Sequence, residues 1–278
     1  MNFNTLISCN DLQALSRAGD ALVLLDCSFD LADPGAGERA YAAGHIPGAQ
    51  YAHLERDLSS AKTGSNGRHP LPDAQVFSAT AGCWGIAPGV QVVAYDAQGG
   101  PYASRAWWLL RWLGHADVAV LDGGLGRWRA MGAALSTAPA VVNAVPPYPL
   151  HAHSMPTIDA QTLLAQAGQW QIVDARAPER YRGDVETIDA VAGHIPGAHN
   201  RFFKDNLEAD GSFKPAAELR QAFAAFGAPG QVVHQCGSGV TACHNLLAMT
   251  HAGLEGSLLY PGSWSEWIAD PTRPVARG

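Results

Sequence analysis

The sequence predicts an α/β protein built from two similar domains, each a parallel sheet flanked by helices. Three observations support this fold class. Two segments of the chain repeat the same motifs in the same order. Within each copy, short apolar runs rich in β-branched residues alternate with longer helix-like runs, which is typical of parallel sheets covered by helices. A proline-rich stretch separates the copies.

Four blocks of sequence carry the repeat. They are, in the first and then the second half, residues 22–26 and 171–174, 44–49 and 193–198, 92–96 and 232–236, and 121–128 and 260–267. The second pair reads Gly-His-Ile-Pro-Gly-Ala in both copies. Because whole blocks recur in order, we infer that a complete domain was duplicated, and the repeat is too long for a solenoid.

The secondary structure of each half follows from its apolar runs. Residues 90–95 and 231–235 are apolar and bounded by glycine or proline, so they are predicted to be buried strands. Residues 103–113 and 240–250 are predicted to be the helices that follow them. The proline within each Gly-His-Ile-Pro-Gly-Ala block makes that block a turn and not the interior of a helix.

The boundary between the halves is marked by residues 136–156, which contain five prolines and no charged residue. This composition predicts a semi-stiff, extended linker. We therefore predict a first domain over residues 1–140, a linker over 141–156 and a second domain over 157–278.

The overall composition restricts the partners of the chain. Its formal net charge is −7 and it has no cluster of lysine or arginine, which argues against nucleic acid or an anionic membrane as partner. No apolar run approaches the roughly 18 residues of a membrane-spanning helix, and the first residues do not resemble a signal peptide. The five cysteines are irregularly spaced, so we expect reduced thiols and a cytoplasmic protein.

The strongest candidate for chemistry is a loop between a predicted strand and a predicted helix. It consists of Cys236, Gly237, Ser238, Gly239, Val240 and Thr241. The two glycines allow the backbone to turn tightly, so that successive N–H groups point into a small bowl that binds anions. Such a bowl would hold the cysteine as a thiolate. It would equally hold a persulfide, whose outer sulfur is also anionic.

These motifs together resemble the tandem-domain rhodanese family of sulfurtransferases, over nearly the whole chain. The resemblance rests on the loop at 236–242, the paired Gly-His-Ile-Pro-Gly-Ala turns, the blocks at 121–128 and 260–267, and the duplication. It implies that the second domain is catalytic and the first is silent, since Asp96 occupies the position of Cys236. It also implies that a small-molecule donor gives its sulfur to Cys236, and that a thiol, cyanide or a thioredoxin-like acceptor removes it.

The resemblance also indicates the donor. The neutral residues Gly237, Ser238 and Gly239 are similar to those of 3-mercaptopyruvate sulfurtransferases, whereas enzymes that use thiosulfate typically place arginine and lysine there. Thiosulfate stays the alternative donor. The resemblance assigns the anionic end of the donor to Arg180. The second arginine of the mercaptopyruvate type is absent from residues 185–191, so either Arg182 substitutes for it or the pocket accepts another donor.

A proton relay is the last feature that the resemblance implies. It pairs the hydroxyl of Ser238 with the histidine of the first Gly-His-Ile-Pro-Gly-Ala block, which is His45. An acidic residue should support this histidine. Asp33 and Glu38 are the nearest candidates, and the sequence does not choose between them.

Other functions fit the sequence less well. A cysteine phosphatase needs an arginine where this chain has Ala242. A binding module without activity is opposed by the reactive loop at Cys236. The histidines and cysteines at 234–244 lack the spacing of a zinc site, and the glycines at 35–40 follow no strand, unlike a dinucleotide motif. We therefore expect neither a metal nor a cofactor.

Overall fold

Two parallel sheets organise the chain, which confirms the predicted α/β class. The computed structural model describes residues 2–19, 21–151 and 154–278. The chain divides into two compact units. The first comprises Met1–Ser59, Pro72–Ser154 and Glu208–Phe213, and the second comprises Ser60–Leu71, Met155–Leu207 and Lys214–Gly278. A short segment from the first half of the sequence, Ser60–Leu71, therefore belongs to the second unit.

The first unit is built on a parallel sheet of order β1-β5-β4-β2-β3. Its strands are β1 (Leu6–Ile7), β2 (Leu22–Asp26), β3 (Ala49–Tyr51), β4 (Gln91–Tyr95) and β5 (Val118–Leu121). Its helices are α1 (Cys9–Ala18), α2 (Ala36–Ala43), α3 (Ala74–Cys83), α4 (Pro101–Leu113) and α5 (Gly124–Ala130). Every residue of β4 is buried, as expected for a central strand covered by helices on both faces.

The second unit repeats this arrangement in a parallel sheet of order β7-β6-β8-β9. Its strands are β6 (Gln171–Asp174), β7 (His199–Asn200), β8 (Val232–Gln235) and β9 (Leu258–Leu259). Its helices are α6 (Ala160–Ala165), α7 (Pro178–Arg182), α8 (Ala216–Ala224), α9 (Ala242–His251) and α10 (Ser263–Trp267), with short 3-10 turns at Phe203–Asn206 and Pro229–Gln231. The central pair β6 and β8 corresponds to β2 and β4, which confirms the duplication.

The predicted elements agree with the structure to within two residues. The predicted strands at 90–95 and 231–235 are β4 and β8, and the predicted helices are α4 and α9. Helix α4 begins two residues earlier than predicted because Pro101 occupies its first turn, where no backbone N–H is needed. The loop of Cys236 follows β8, and the loop of Asp96 follows β4. Both loops therefore start at the carboxyl ends of parallel strands, where ligands of α/β proteins usually bind.

The proline-rich stretch packs against the first unit along α3. Val145 donates its N–H to the carbonyl of Gly82 at 2.9 Å, and the hydroxyl of Ser78 donates to the carbonyl of Tyr148 at 2.6 Å. The side chain of Tyr148 is buried. Elsewhere in the described part of the chain, no helix has the length and apolar character needed to cross a membrane.

Candidate active site

Cys236 follows β8 directly and begins a loop that is anchored to the first turn of α10. The N–H of Trp264 donates to the carbonyl of Cys236 at 3.0 Å, and the N–H of Ser265 donates to the carbonyl of Gly237 at 2.9 Å. At the other end of the loop, Cys243 donates its N–H to the carbonyl of Val240 at 3.1 Å. The buried cysteine therefore sits in a backbone whose path is held from both ends.

The remaining loop residues have distinct surroundings. Gly239 has a φ of +76°, and a Cβ added there would lie 2.3 Å from the carbonyl oxygen of Pro261, so only glycine fits. Val240 is buried, and half-buried Thr241 directly precedes α9. A Cβ on Gly237 would instead lie 2.9 Å from Nη2 of Arg68. The absence of a side chain at 237 thus leaves room for a guanidinium group beside the nucleophile.

The loop after β4, which corresponds to the loop of Cys236, holds a buried carboxylate. Oδ1 of Asp96 accepts the N–H groups of Gln98 at 2.9 Å and Gly100 at 2.8 Å. Oδ2 accepts those of Tyr102 at 2.9 Å and Ala103 at 3.0 Å. Burial raises the pKa of Asp96, and these four N–H groups act in the opposite direction. The strand–loop–helix of the first unit therefore forms an anion-binding bowl, which the Asp96 carboxylate itself occupies.

The Asp96 carboxylate also marks where an anion on Cys236 would lie. A carboxylate oxygen is two bonds from Cβ, and so is the outer sulfur of a cysteine persulfide. The N–H of Leu125 donates to the carbonyl of Asp96 at 3.0 Å, just as the N–H of Trp264 donates to that of Cys236 at the same distance. The two loops are thus anchored alike.

The hydroxyl of Ser238 is paired with a histidine, but not with the predicted one. Oγ of Ser238 lies 2.8 Å from Nδ1 of His69, and both residues are buried. His69 comes from Ser60–Leu71, the segment of the first half that belongs to the second unit. The loop serine is therefore paired with a histidine, as predicted, but that histidine is His69.

His45 is instead a structural residue of its turn, so the prediction that it pairs with Ser238 was wrong. Its ring nitrogens lie 2.8 Å from the carbonyl of Tyr41 and 3.0 Å from that of Ala138. Its ring stacks on Tyr41 with centroids 3.9 Å apart. His194, in the same block of the other half, stacks on its own tyrosine at the same distance. Both histidines are fixed by the turn that the repeat has in common.

Two arginines face the loop, and two carboxylates hold them. Arg180 donates Nη2 to Glu186 at 2.9 Å and to Asp189, also at 2.9 Å. Arg68 donates Nη1 to the other oxygen of Asp189. The carboxylates are almost fully buried, whereas about a fifth of each arginine side chain is exposed. Asp189 therefore connects the two guanidinium groups, and both remain open to a ligand.

The electrostatics of this network explain why the carboxylate of Glu186 stays charged. Burial by itself would raise the pKa of Glu186, but the N–H groups of Asp189 and Ile188 and the guanidinium of Arg180 hold it below its ordinary value. Behind them, Arg176 forms a buried ion pair with Asp174 at 2.7 Å. The network thus contains as many arginines as carboxylates, so its formal charges balance; its members are Arg68, Arg176, Arg180, Asp174, Glu186 and Asp189.

Arg182, the predicted replacement for the second family arginine, lies elsewhere. Its Nε donates to Asp184 at 2.8 Å, and 46% of its side chain is exposed. The second guanidinium beside Gly237 belongs to Arg68. The prediction for Arg182 was wrong because the helix α7 directs Arg180 and Arg182, two residues apart, to different sides.

The sequence did not point to Arg68 or His69. They occur between residues 58 and 72, a stretch with three serines and two glycines and no apolar periodicity. Nothing local in such a stretch indicates that it packs against a loop that lies more than a hundred residues further on. Within the described residues, no group of three His, Cys, Asp or Glu side chains is placed to hold a metal ion.

Comparison with known proteins identifies the family. The model of the rhodanese-like domain matches this chain twice, at residues 8–131 and 159–270. The chain belongs to the rhodanese family. Its two matches correspond to the two halves that the sequence repeat predicts.

Named relatives of this rhodanese-family protein are sulfurtransferases. It is 50% identical to the “Probable 3-mercaptopyruvate sulfurtransferase” of Pseudomonas aeruginosa over 100% of both chains. It is 34% identical to the thiosulfate sulfurtransferase of Mus musculus, over 94% of this chain and 91% of the mouse protein. Among solved structures, 3-mercaptopyruvate sulfurtransferase from Leishmania major matches with a TM-score of 0.84 at 28% identity, over 95% of this chain and 74% of that one. The predicted class of enzyme, a sulfurtransferase, is confirmed.

Proposed function

We propose that this protein transfers sulfur from 3-mercaptopyruvate to a thiol or cyanide through a persulfide on Cys236. The observation that carries the proposal is the buried carboxylate of Asp96, which accepts four backbone N–H groups in the corresponding loop. Cys236 stands at the same point of the same strand–loop–helix. A persulfide is an anion two bonds beyond its Cβ, and we infer that N–H groups of the loop 237–241 bind it.

The reaction has two displacement steps at sulfur. The thiolate of Cys236 attacks the sulfur of 3-mercaptopyruvate, so that a sulfur–sulfur bond forms and the carbon–sulfur bond breaks. The carbon leaves as the enolate of pyruvate and takes up a proton. The thiolate of an acceptor then attacks the outer sulfur, and the thiolate of Cys236 is regenerated.

Ser238 and His69 are placed to move the proton. Their hydrogen bond of 2.8 Å joins a hydroxyl beside the nucleophile to a group that can exchange protons near neutral pH. In this proposal the serine hydroxyl delivers a proton to the pyruvate enolate, and His69 replaces it. The relay depends on neither Asp33 nor Glu38.

The charges of the site favour 3-mercaptopyruvate over thiosulfate. Arg68 and Arg180 can bind a carboxylate through their guanidinium groups, but both are already neutralised by Glu186 and Asp189. A donor with one negative charge loses less water on entering such a site than a dianion does. Thiosulfate is the alternative donor, since the mouse relative is named for it.

The remaining parts of the proposal concern the first unit and the setting. We propose that residues 157–278 together with Ser60–Leu71 form the catalytic unit, and that the rest of residues 1–140 is silent because Asp96 cannot carry sulfur. All five cysteines are free thiols in the structure, which suits a reducing cytoplasm. A thioredoxin-like protein would serve there as acceptor.

The experiment is a mass measurement on the intact protein after incubation with 3-mercaptopyruvate in the absence of reductant. We expect the protein to gain one sulfur atom and the Cys236→Ser variant to gain none. Cys83→Ser is the matched control, because Cys83 is the exposed cysteine, and this variant should gain sulfur as the wild type does.

The same assay, followed over time with each donor, tests the choice of substrate. Faster sulfur loading from 3-mercaptopyruvate at equal concentration supports the proposed donor. Faster loading from thiosulfate would overturn the donor but leave the persulfide intact. No loading of Cys236 from either donor would overturn the function.

A further inference from the structure

Ser263, at the start of α10, has a backbone conformation that serine rarely adopts. Its φ is +52°, which makes it the only residue other than glycine with a positive φ in the described part of the chain. In this left-handed region the Cβ of an L-residue crowds the neighbouring carbonyl oxygen. Strain of this kind persists only where the surrounding structure enforces it, and it often marks a functional position.

The duplication provides an internal comparison for this position. Gly124 corresponds to Ser263 in the block shared by the two halves, and its φ is +54°. The φ angle is thus nearly the same at both positions, and in the first unit the residue is glycine, which adopts a positive φ freely. The second unit, which carries the nucleophile, has a side chain there despite the strain.

The side chain of Ser263 forms two hydrogen bonds in the interior. Its hydroxyl donates to the carbonyl of Tyr260 at 2.9 Å and accepts the backbone N–H of Cys236 at 3.1 Å. The residue is fully buried. Because its proton is directed at Tyr260, a lone pair of its oxygen faces the amide of the nucleophile.

Consecutive residues therefore hold both backbone polar groups of Cys236. Ser263 binds its N–H and Trp264 binds its carbonyl. In the first unit, Leu125 binds the carbonyl of Asp96 in the same way, but the glycine at 124 has no hydroxyl. The bond to the amide is specific to the half with the cysteine.

We propose that Ser263 is a positioning residue for the nucleophile, and that its strained conformation is retained for this role. By binding the N–H of Cys236, its hydroxyl fixes the orientation of the peptide group and hence the direction of the Cα–Cβ bond that presents the sulfur. It also keeps this N–H from turning towards the thiolate. The inference rests on the proposed function, since it concerns the formation of the persulfide.

Two substitutions separate the hydroxyl from the strain. Ser263→Ala removes the hydroxyl and keeps a Cβ at positive φ, whereas Ser263→Gly removes both. We expect each variant to slow single-turnover persulfide formation from 3-mercaptopyruvate at least tenfold, with the half-saturating donor concentration changed less than twofold. We expect the Gly variant to have the higher Tm of the two, because it is free of the strain.

A second readout follows the sulfur directly. Alkylation of Cys236 by iodoacetamide, measured from pH 5 to pH 9 and located by mass spectrometry, should have a displaced pH profile in both variants, because the amide is then free to turn towards the thiolate. The matched control is Ser78→Ala, which removes another buried hydroxyl that donates to a backbone carbonyl. It should lower the Tm and leave both the loading rate and the alkylation profile unchanged.

The outcomes are distinct. Slow loading with a displaced alkylation profile in both variants supports the proposal. Wild-type loading in both variants, even with a lower Tm, would mean that Ser263 only stabilises the fold and would overturn it. If the wild type itself takes up no sulfur at Cys236, the proposed function fails, and that result is visible before any variant is compared.

Discussion

Acid should destabilise the protein through His234, a residue of β8 that lies two positions before the nucleophile. Its ring is fully buried, 3.0 Å from the sulfur of Met249 and edge-on to Phe223. Among the described residues, its Nδ1 has no hydrogen-bond partner. Burial alone lowers the pKa of His234 from 6.5 to about 3, because the charged ring would lose its water and gain no counter-charge.

The size of the effect follows from these two values. The unfolded chain binds a proton at this histidine below pH 6.5, whereas the folded protein does so only near pH 3. Between these values the unfolded state binds more protons, so the free energy of unfolding falls as the pH decreases. At about 1.36 kcal/mol per pKa unit, the loss is about 2 kcal/mol from pH 7 to pH 5, and it approaches roughly 5 kcal/mol only below pH 3.

The measurement is urea unfolding, followed by tryptophan fluorescence at pH 7 and at pH 5. Leucine is similar in size to histidine and takes up no proton, so His234→Leu should lose about 2 kcal/mol less than the wild type between these pH values. The comparison uses each protein's own value at pH 7, so a change in packing cancels. His199→Gln removes an exposed ring and should keep the wild-type difference. An equal loss in His234→Leu and the wild type would refute the reasoning.

Two further predictions concern the site. His69→Gln should lower kcat about 100-fold, the usual contribution of a proton-transferring group, whereas His45→Gln should mainly lower the Tm. A large loss of kcat in His45→Gln but not in His69→Gln would mean that His45 is the histidine of the relay. Arg68→Ala should raise the KM for 3-mercaptopyruvate roughly tenfold or more, since a hydrogen bond to a charged group contributes about 1.5–3 kcal/mol. Arg182→Ala should change this KM less than about twofold, because exposed ion pairs contribute little. If the two substitutions changed the KM equally, Arg68 would not belong to the donor site.

Much of the site could be predicted because its parts are local in sequence. The run that becomes β8, the glycines after Cys236 and the helix α9 follow one another directly, so propensity and spacing were enough to place Cys236 at the carboxyl end of a strand. The duplication added a comparison within one chain. Asp96 in the place of Cys236 indicated which half is reactive, and the structure added that its carboxylate occupies the bowl.

Two of the predicted site residues have other roles in the structure. His45 was assigned to Ser238 by its motif, but the motif is a turn that uses its histidine for its own backbone. Arg182 was chosen because it is near Arg180 in sequence, although on a short helix neighbours two residues apart face different ways.

By itself, the sequence determined the α/β class and the duplication and pointed to Cys236 as the proposed nucleophile, since each depends on residues that lie close together or recur in order. The tertiary structure alone decided which histidine and which second arginine accompany Cys236. Both come from Ser60–Leu71, a segment without helix or strand whose own residues specify no position. Its place is set by its bonds to Ser238, Asp189 and Ser265, and these partners come together only when the chain has folded.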